Sequence, residues 1–180
     1  MKNAILAGLL LATTPAFAQA FELSSPDIEA GAAIPQDFAL NAFGCTGENI
    51  SPAMMWTDPP EGTQSFAVMV HDADANTGGA GFWHWVVVDI PADELGLGQG
   101  AGGSAGMPEG ARQMATDFGV PGWGGPCPPE ADDAHDYDFT VYALPVERLD
   151  IPDAATASFT GFVVNQMALG SATFTASYDR

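Results

Sequence analysis

The chain has 180 residues, with 23 Asp and Glu against four Lys and Arg, a formal net charge of −19. Charge of that sign and size repels polyanions, which argues against nucleic acid or an anionic membrane surface as a partner. The length suits one domain with a real core once the amino terminus is set aside.

Residues 1–20 read as a secretory signal peptide. Met1-Lys2-Asn3 supplies a positive start, Ala4 to Ala12 an apolar run, and Ala16-Phe17-Ala18 or Ala18-Gln19-Ala20 a small-x-small cleavage site. That run is far shorter than the roughly 20 residues that span a bilayer, and no later run reaches it, so stable membrane insertion is not expected. The expected product is a single domain of residues 21–180, periplasmic or secreted. That compartment permits disulfides. Cys45 and Cys127 are the two cysteines, each in a glycine-containing loop, and their spacing excludes a CxxC redox site. A disulfide is expected in preference to two idle thiols. It would close a loop of about 80 residues, worth about 4–5 kcal/mol in the chain-entropy model.

Residues 21–43 suggest a short strand, a turn and a second strand, since no helical period persists there. Cys45 to Ala53 is loop, and Met54-Met55-Trp56 is a short apolar stretch ended by Pro59-Pro60-Glu61-Gly62. Ser65–Asp72 and Phe82–Ile90 are near-continuous apolar runs, the pattern of strands buried on both faces. Residues 96–110 hold seven glycines, but without Gly-Lys-Ser/Thr or a strand-turn-helix context they read as a surface crossover, not a phosphate cradle. Asp117-Phe118-Gly119 matches the metal-binding triplet of kinases, but no kinase lysine strand or His-Arg-Asp loop accompanies it.

Gly122-Trp123-Gly124-Gly125-Pro126-Cys127-Pro128-Pro129 can form neither a helix nor a central strand, and reads as a rigid, shaped loop. Tyr137–Leu144 follows as a strand; if the chain is already extended at His135, that imidazole and the Tyr137 phenol share a face. Residues 153–169 are the one plausible helix, with Asp153 as cap and a stripe of Phe159, Phe162, Val163, Gln166 and Met167. Gly170 stops it, and Ala172–Tyr178 closes the chain as a strand. Many strands against one helix make an all-β domain, a sandwich of sheets.

Three histidines occur, His71, His84 and His135, all on or beside these strands. His84 alternates with Phe82, Val86 and Val88, so period two gives it a core-facing position. Asp72 ends one strand, His84 begins the next, and His135 and Tyr137 begin a third. A carboxylate, two imidazoles and a phenol at matching strand ends make a polar site on a hydrophobic frame. Such a site could bind a phosphate-like anion, hold a metal through His84, His135 and Asp72, or run hydrolysis by acid–base chemistry. No HExxH or GxSxG motif favours the last two.

At these residues the chain resembles the phosphatidylethanolamine-binding protein family, in its bacterial Raf-kinase-inhibitor-like branch. The matching motifs are Asn49-Ile50-Ser51-Pro52, Asp72-Ala73-Asp74-Ala75, Trp83-His84-Trp85, Asp117-Phe118-Gly119, and Gly124-Gly125-Pro126-Cys127-Pro128-Pro129 with His135-x-Tyr137. The resemblance implies a β-sandwich with a C-terminal helix, short peripheral helices and a small cavity for anions such as phosphate headgroups. It implies Asp72, His84, Gly125, Pro126, His135 and Tyr137 as ligand-binding residues, with Trp83 and Trp123 close by. It implies no cofactor, and a binding protein that modulates partners such as kinases or proteases, not an enzyme. The alternative is a metal-dependent hydrolase on His84, His135 and Asp72. Two departures stand out. Ala73 and Asn76 replace the prolines of the family's Asp-Pro-Asp-x-Pro, which suggests a looser rim. Asp136 replaces an arginine, and would point away from the cavity by strand alternation.

Overall fold

Runs rich in Val, Ile, Phe and Trp form the framework, because branched and aromatic side chains pack well on a pleated surface. The computed structural model describes residues 20–103 and 106–180, so the signal-peptide reading lies outside it except for Ala20. A small antiparallel sheet joins β1 (Glu22–Ser24), β2 (Met54–Thr57) and β5 (Gly96–Leu97) in the order β1-β2-β5. Five strands make the larger antiparallel sheet: β3 (Ser65–Asp72), β4 (Phe82–Pro91), β6 (Arg112–Gln113), β7 (His135–Leu144) and β8 (Gly170–Tyr178). Their order is β6-β4-β3-β7-β8. The expected all-β sandwich is the architecture found.

One core lies between the sheets, where Met54 and Trp56 meet Phe66, Val68, Val70, Phe139 and Val141. A second core covers the outer face of the large sheet, where Ala67, Met69, Val86 and Val88 pack under Leu149 and Val164. Strands β3 and β4 are therefore buried on both faces, as their unbroken apolar runs imply.

The helix, α1 (Ala157–Met167), differs from the sequence reading in its cap and in its buried face. Thr156 is the cap, its Oγ1 accepting from Phe159 N, while Asp153 instead accepts from Arg112 Nη1 at 2.8 Å. The buried side is Ala157, Thr160, Gly161 and Val164, leaving Phe159 and Phe162 of the expected stripe exposed. Close approach explains the choice. A Cβ at Gly161 would stand 3.2 Å from Met69 Cε, so small residues let the helix lie tight on the sheet. The second early strand is also absent: Gln36–Phe38 forms a 3-10 turn, and Ala33 makes a lone bridge to Ser177.

Strand β4 carries two register shifts against β3. Phe66 pairs with Ile90 but Val68 with Val87; Val70 pairs with Trp85 but His71 with Trp83. Each shift is a one-residue bulge, and a bulge reverses which face the following side chains take. The two residues left over by the shifts lie at His84 and near Asp89, the two buried polar side chains of the strand. Phe82 and His84 thus fall on the same side as Trp85 and Val87, whereas Val86 and Val88 face the opposite core with Trp83. Unbroken alternation had grouped His84 with Val86 and Val88; the bulge overrides it.

Asp89 has φ +59° and receives Arg112 Nε at 2.6 Å and Leu149 N at 2.8 Å. Arg112 also donates to the carbonyls of Leu149 and Ile151, stitching the 149–153 segment to the sheet. Removing one member of a buried pair strands the other charge, whereas an exposed pair contributes little. Arg112→Ala should therefore cost about 3 kcal/mol and lower Tm by roughly 6–12 °C. Arg148→Ala, which removes an exposed guanidinium 3.9 Å from Asp89, should cost under about 1 kcal/mol. Urea unfolding of both variants under oxidising conditions measures the difference.

Candidate functional site

The site forms where β3 ends, β4 begins and β7 begins, because these three strands are neighbours in the sheet and antiparallel. Asp72 pairs with both Phe82 and Tyr137 across the ladder, so the end of one strand meets the start of two others. His135 begins β7 already extended, and the β7 residues alternate buried, exposed, buried over His135, Asp136 and Tyr137. Asp136 therefore points outward, as alternation requires.

Asp72 is buried, and both of its oxygens are used. Oδ1 accepts from the backbone of Asp74 at 2.9 Å and Ala75 at 3.0 Å; Oδ2 accepts from His135 Nδ1 at 2.8 Å. The first pair of bonds restrains the turn that lacks the two prolines, so the rim is held by a side chain instead of by rings. Asp74, deprived of an arginine neighbour, accepts from Asp136 N at 2.8 Å.

His84 sits in the bulge, its ring edge-on to Phe118 and Tyr137 at 5.5 and 5.1 Å and tilted against Phe82 at 5.3 Å. Its Nδ1 donates to Gly124 O at 2.6 Å, and Gly124 N returns a bond to His84 O. Burial among these rings lowers its pKa, only partly offset by the Gly124 carbonyl and by Asp72. The imidazole is then neutral, and its free Nε2 lone pair lies 3.9 Å from Asp72 Oδ2. His135 is shifted the other way. Burial would lower its pKa, but the hydrogen bond and charge of Asp72, with Asp74 and Asp132 beyond, raise it.

Tyr137 is fully buried, and burial followed by the nearby Asp72 charge pushes its pKa far upward, so it stays a neutral hydroxyl. Its Oη completes no well-formed hydrogen bond, although Asp72 stands near enough to add to the rise. An unpaired buried hydroxyl costs about 1–3 kcal/mol. Trp56 Nε1 and Thr160 Oγ1 are also unpaired, but neither belongs to this cavity.

Over these four residues opens a cavity of about 270 Å³. Its walls come mainly from Leu40, Phe43, Phe82, Phe118, Pro128 and Pro129, with Ala75, Asn76 and Cys127 completing the lining. Of the residues singled out in the sequence, the structure brings Asp72, His84, His135 and Tyr137 together on it. Gly125 and Pro126 lie one layer behind. Gly125 N is bonded to Asn49 Oδ1 at 2.8 Å, and Pro126 O accepts from Leu40 N. A Cβ at Gly125 would collide with the backbone of Phe38 and Ala39, so glycine is required for close approach. Trp123 is a core residue between Trp85 and Phe139 whose Nε1 donates to Phe38 O. Trp83 lies on the other face of the sheet, 4.1 Å from the His71 ring, because it alternates with Phe82 and His84 along the strand.

Two contributors were missed as parts of the site. Asn49 brackets the Gly/Pro loop through both ends of its amide, to Trp123 O and Gly125 N. Its φ of +53° is the available clue, since Asn tolerates the left-handed region, but sequence does not reveal φ. Phe118 walls the cavity while Asp117 Oδ2 accepts from Trp83 N, which gives the Asp-Phe-Gly triplet a structural role. The expected disulfide is present: Cys45 and Cys127 are joined, with Cα atoms 6.0 Å apart. As for metal, both Asp72 oxygens and His84 Nδ1 are engaged by protein groups. Among the described residues no set of three His, Cys, Asp or Glu side chains has metal-holding geometry.

The family model of phosphatidylethanolamine-binding protein matches residues 24–179. YbhB of Escherichia coli (strain K12) is 45% identical over 158 residues, covering 87% of this chain and 99% of that protein. YbcL of the same organism is 40% identical over 182 residues, covering 99% of both chains. The crystal structure of YbcL superposes with a TM-score of 0.85 over 89% of this chain and 98% of that one. A Mycobacterium tuberculosis protein named putative lipoprotein LppC is 34% identical over 169 residues, 93% of this chain and 77% of that one. The chain belongs to the phosphatidylethanolamine-binding protein family, in its bacterial YbhB/YbcL branch.

Proposed function

We propose that this protein is a non-enzymatic binding protein whose cavity takes a small anion, and that it takes up a proton when the anion binds. The observation that carries this reading is the unpaired Tyr137 hydroxyl at the buried floor of the cavity. A buried hydroxyl without a protein partner calls for a water or a ligand atom to complete it, and at the floor of a cavity a ligand atom can reach it. Tyr137 supplies one donor. His84 supplies a second only when protonated, because its Nδ1 hydrogen is spent on Gly124 and Nε2 is otherwise a lone pair. An anion beside Nε2 favours the imidazolium, so ligand and proton enter together. His135 stays with Asp72 and keeps the floor near neutrality. Family membership supports an anionic ligand such as a phosphate headgroup. The disulfide and the pattern of residues 1–20 support work in an oxidising compartment outside the cytoplasm.

Calorimetric titration with phosphoethanolamine at about pH 6 should give saturable binding, weakened at least tenfold in Tyr137→Phe. Losing a bond to a charged group costs about 1.5–3 kcal/mol. The same variant should be more stable by about 1 kcal/mol, since it removes an unsatisfied buried hydroxyl. Unchanged affinity, or lost stability, sinks this reading.

Sulfate keeps its charge across this range and isolates the protein's proton. Its affinity should rise by up to about tenfold per pH unit as pH falls below about 6.5. The binding enthalpy should also differ between buffers of unlike ionisation enthalpy. A flat profile with equal enthalpies rules out proton uptake.

His135 has the opposite linkage. Its folded pKa is raised, so its contribution to stability is complete below about pH 6.5 and is lost as pH rises through the folded value. The stability advantage of wild type over His135→Asn should therefore shrink between pH 6 and pH 9, read from urea midpoints at each pH.

A further inference from the structure

An inorganic anion would occupy little of this cavity. Its volume is about 270 Å³, against roughly 30 Å³ for one water in the liquid. Above the four polar residues of the floor, the wall is mainly apolar, built from Leu40, Phe43, Phe82, Phe118, Pro128 and Pro129, with Asn76 as its polar side chain. Phe82 and Phe118 meet edge to face at 4.8 Å and leave ring surface toward the opening.

Phe43 is the unusual member. It is 79% exposed, so its ring gains little from folding, and its φ of +53° is a conformation that bulky side chains avoid. The chain nevertheless fixes it from two directions. The guanidinium of Arg180 donates to Phe43 O at 3.2 Å, and the disulfide anchors Cys45, two residues on, to Cys127 in the cavity wall. Strain and an exposed ring persist where surrounding structure over-determines them, and such outliers cluster at ligand clamps.

Outside His135, Asp74, Asp132, Asp133 and Asp136 line an adjoining depression on the surface. Among the described residues these four carboxylates outnumber the one cation at the mouth, the Arg180 guanidinium on Phe43 O, so their field opposes a second negative charge there.

We propose that the natural ligand class is a singly charged organic anion with an aromatic body, its charge on the Tyr137–His84 floor and its ring against Phe43, Phe82 and Phe118. This rests on the anion reading of the floor and adds what lies above it. Phe43 acts as the specificity-determining residue: it meets the ligand's body without touching its charge.

The test compares acetate, phenylacetate and phenyl phosphate by calorimetry on wild type and Phe43→Ala. In wild type at about pH 6, phenylacetate should bind about tenfold more tightly than acetate, as expected when apolar surface of a ring leaves water. Phe43→Ala should cut that preference to within about threefold, losing more affinity for phenylacetate than for acetate. Its melting temperature should not fall, because an exposed ring at positive φ contributes little to stability. At pH 8, where phenyl phosphate is a dianion, it should bind more weakly than phenylacetate.

Equal affinity for acetate and phenylacetate would overturn the aromatic class and leave the anion floor standing. A preference that survives in Phe43→Ala would overturn the role of Phe43. Tighter binding of phenyl phosphate at pH 8 would overturn the single charge. If none of the three, nor phosphoethanolamine, binds to wild type, the anion floor itself is wrong and this inference falls with it.

Discussion

The Asp72 carboxylate joins pieces of chain that the sequence keeps far apart. One oxygen closes the turn after β3 on Asp74 and Ala75; the other holds His135 at the head of β7. Buried charge is costly unless each lone pair is engaged, and here each oxygen has a partner. That constraint decides the protonation of the whole site. Because His135 is bonded to Asp72 it is favoured as a cation, and because His84 stands 3.9 Å away among aromatic rings it is favoured as neutral. Two imidazoles on one carboxylate are thereby given different chemistry by geometry alone.

Placing His84 required a break in a regular element. β4 is among the most apolar stretches of the chain, yet its two buried polar residues coincide with its two bulges. A regular strand would have turned His84 away from Asp72 if Trp85 kept its place on the inter-sheet face. The extra residue lets both side chains project to one side. This is the part of the site least legible in the sequence. The run Phe82-Trp83-His84-Trp85-Val86-Val87-Val88 contains no glycine or proline to mark an irregularity, so period two is the natural reading. It gives the right strand and the wrong face for Val86 and Val88.

Other features were legible for definite reasons. Strands β3, β4 and β7 announce themselves because both faces are buried, and the ends that carry Asp72, His84 and His135 follow from antiparallel neighbours. The Gly/Pro loop is legible as rigid, but its function is subtler than a wall. Gly124 and Gly125 are there because Phe118 and the 38–40 backbone come too close for a side chain, which leaves Cys127, Pro128 and Pro129 to face the cavity. The helix face was read wrongly because hydrophobicity favours Phe159 and Phe162, whereas packing selected the small residues around Gly161. Long-range approach distances of this kind have no local signature.

Four departures from ideal structure gather around one cavity. The bulge at His84, the unpaired Tyr137 hydroxyl, and Phe43 and Asn49 at positive φ all lie on it or directly behind it. Against them stand long-range restraints: the Asp72–His135 bond, the Asn49 amide clamp and the disulfide. Each restraint spans more than 60 residues of sequence and fixes the rim, and the covalent one, the disulfide, also narrows the unfolded ensemble. Strain held by long-range ties stays in place when the cavity is empty. A ligand then enters a shape already formed and loses little affinity to ordering it. On the proposed reading, the selectivity of the cavity is set by which side chains the ties hold at its mouth, above all Phe43.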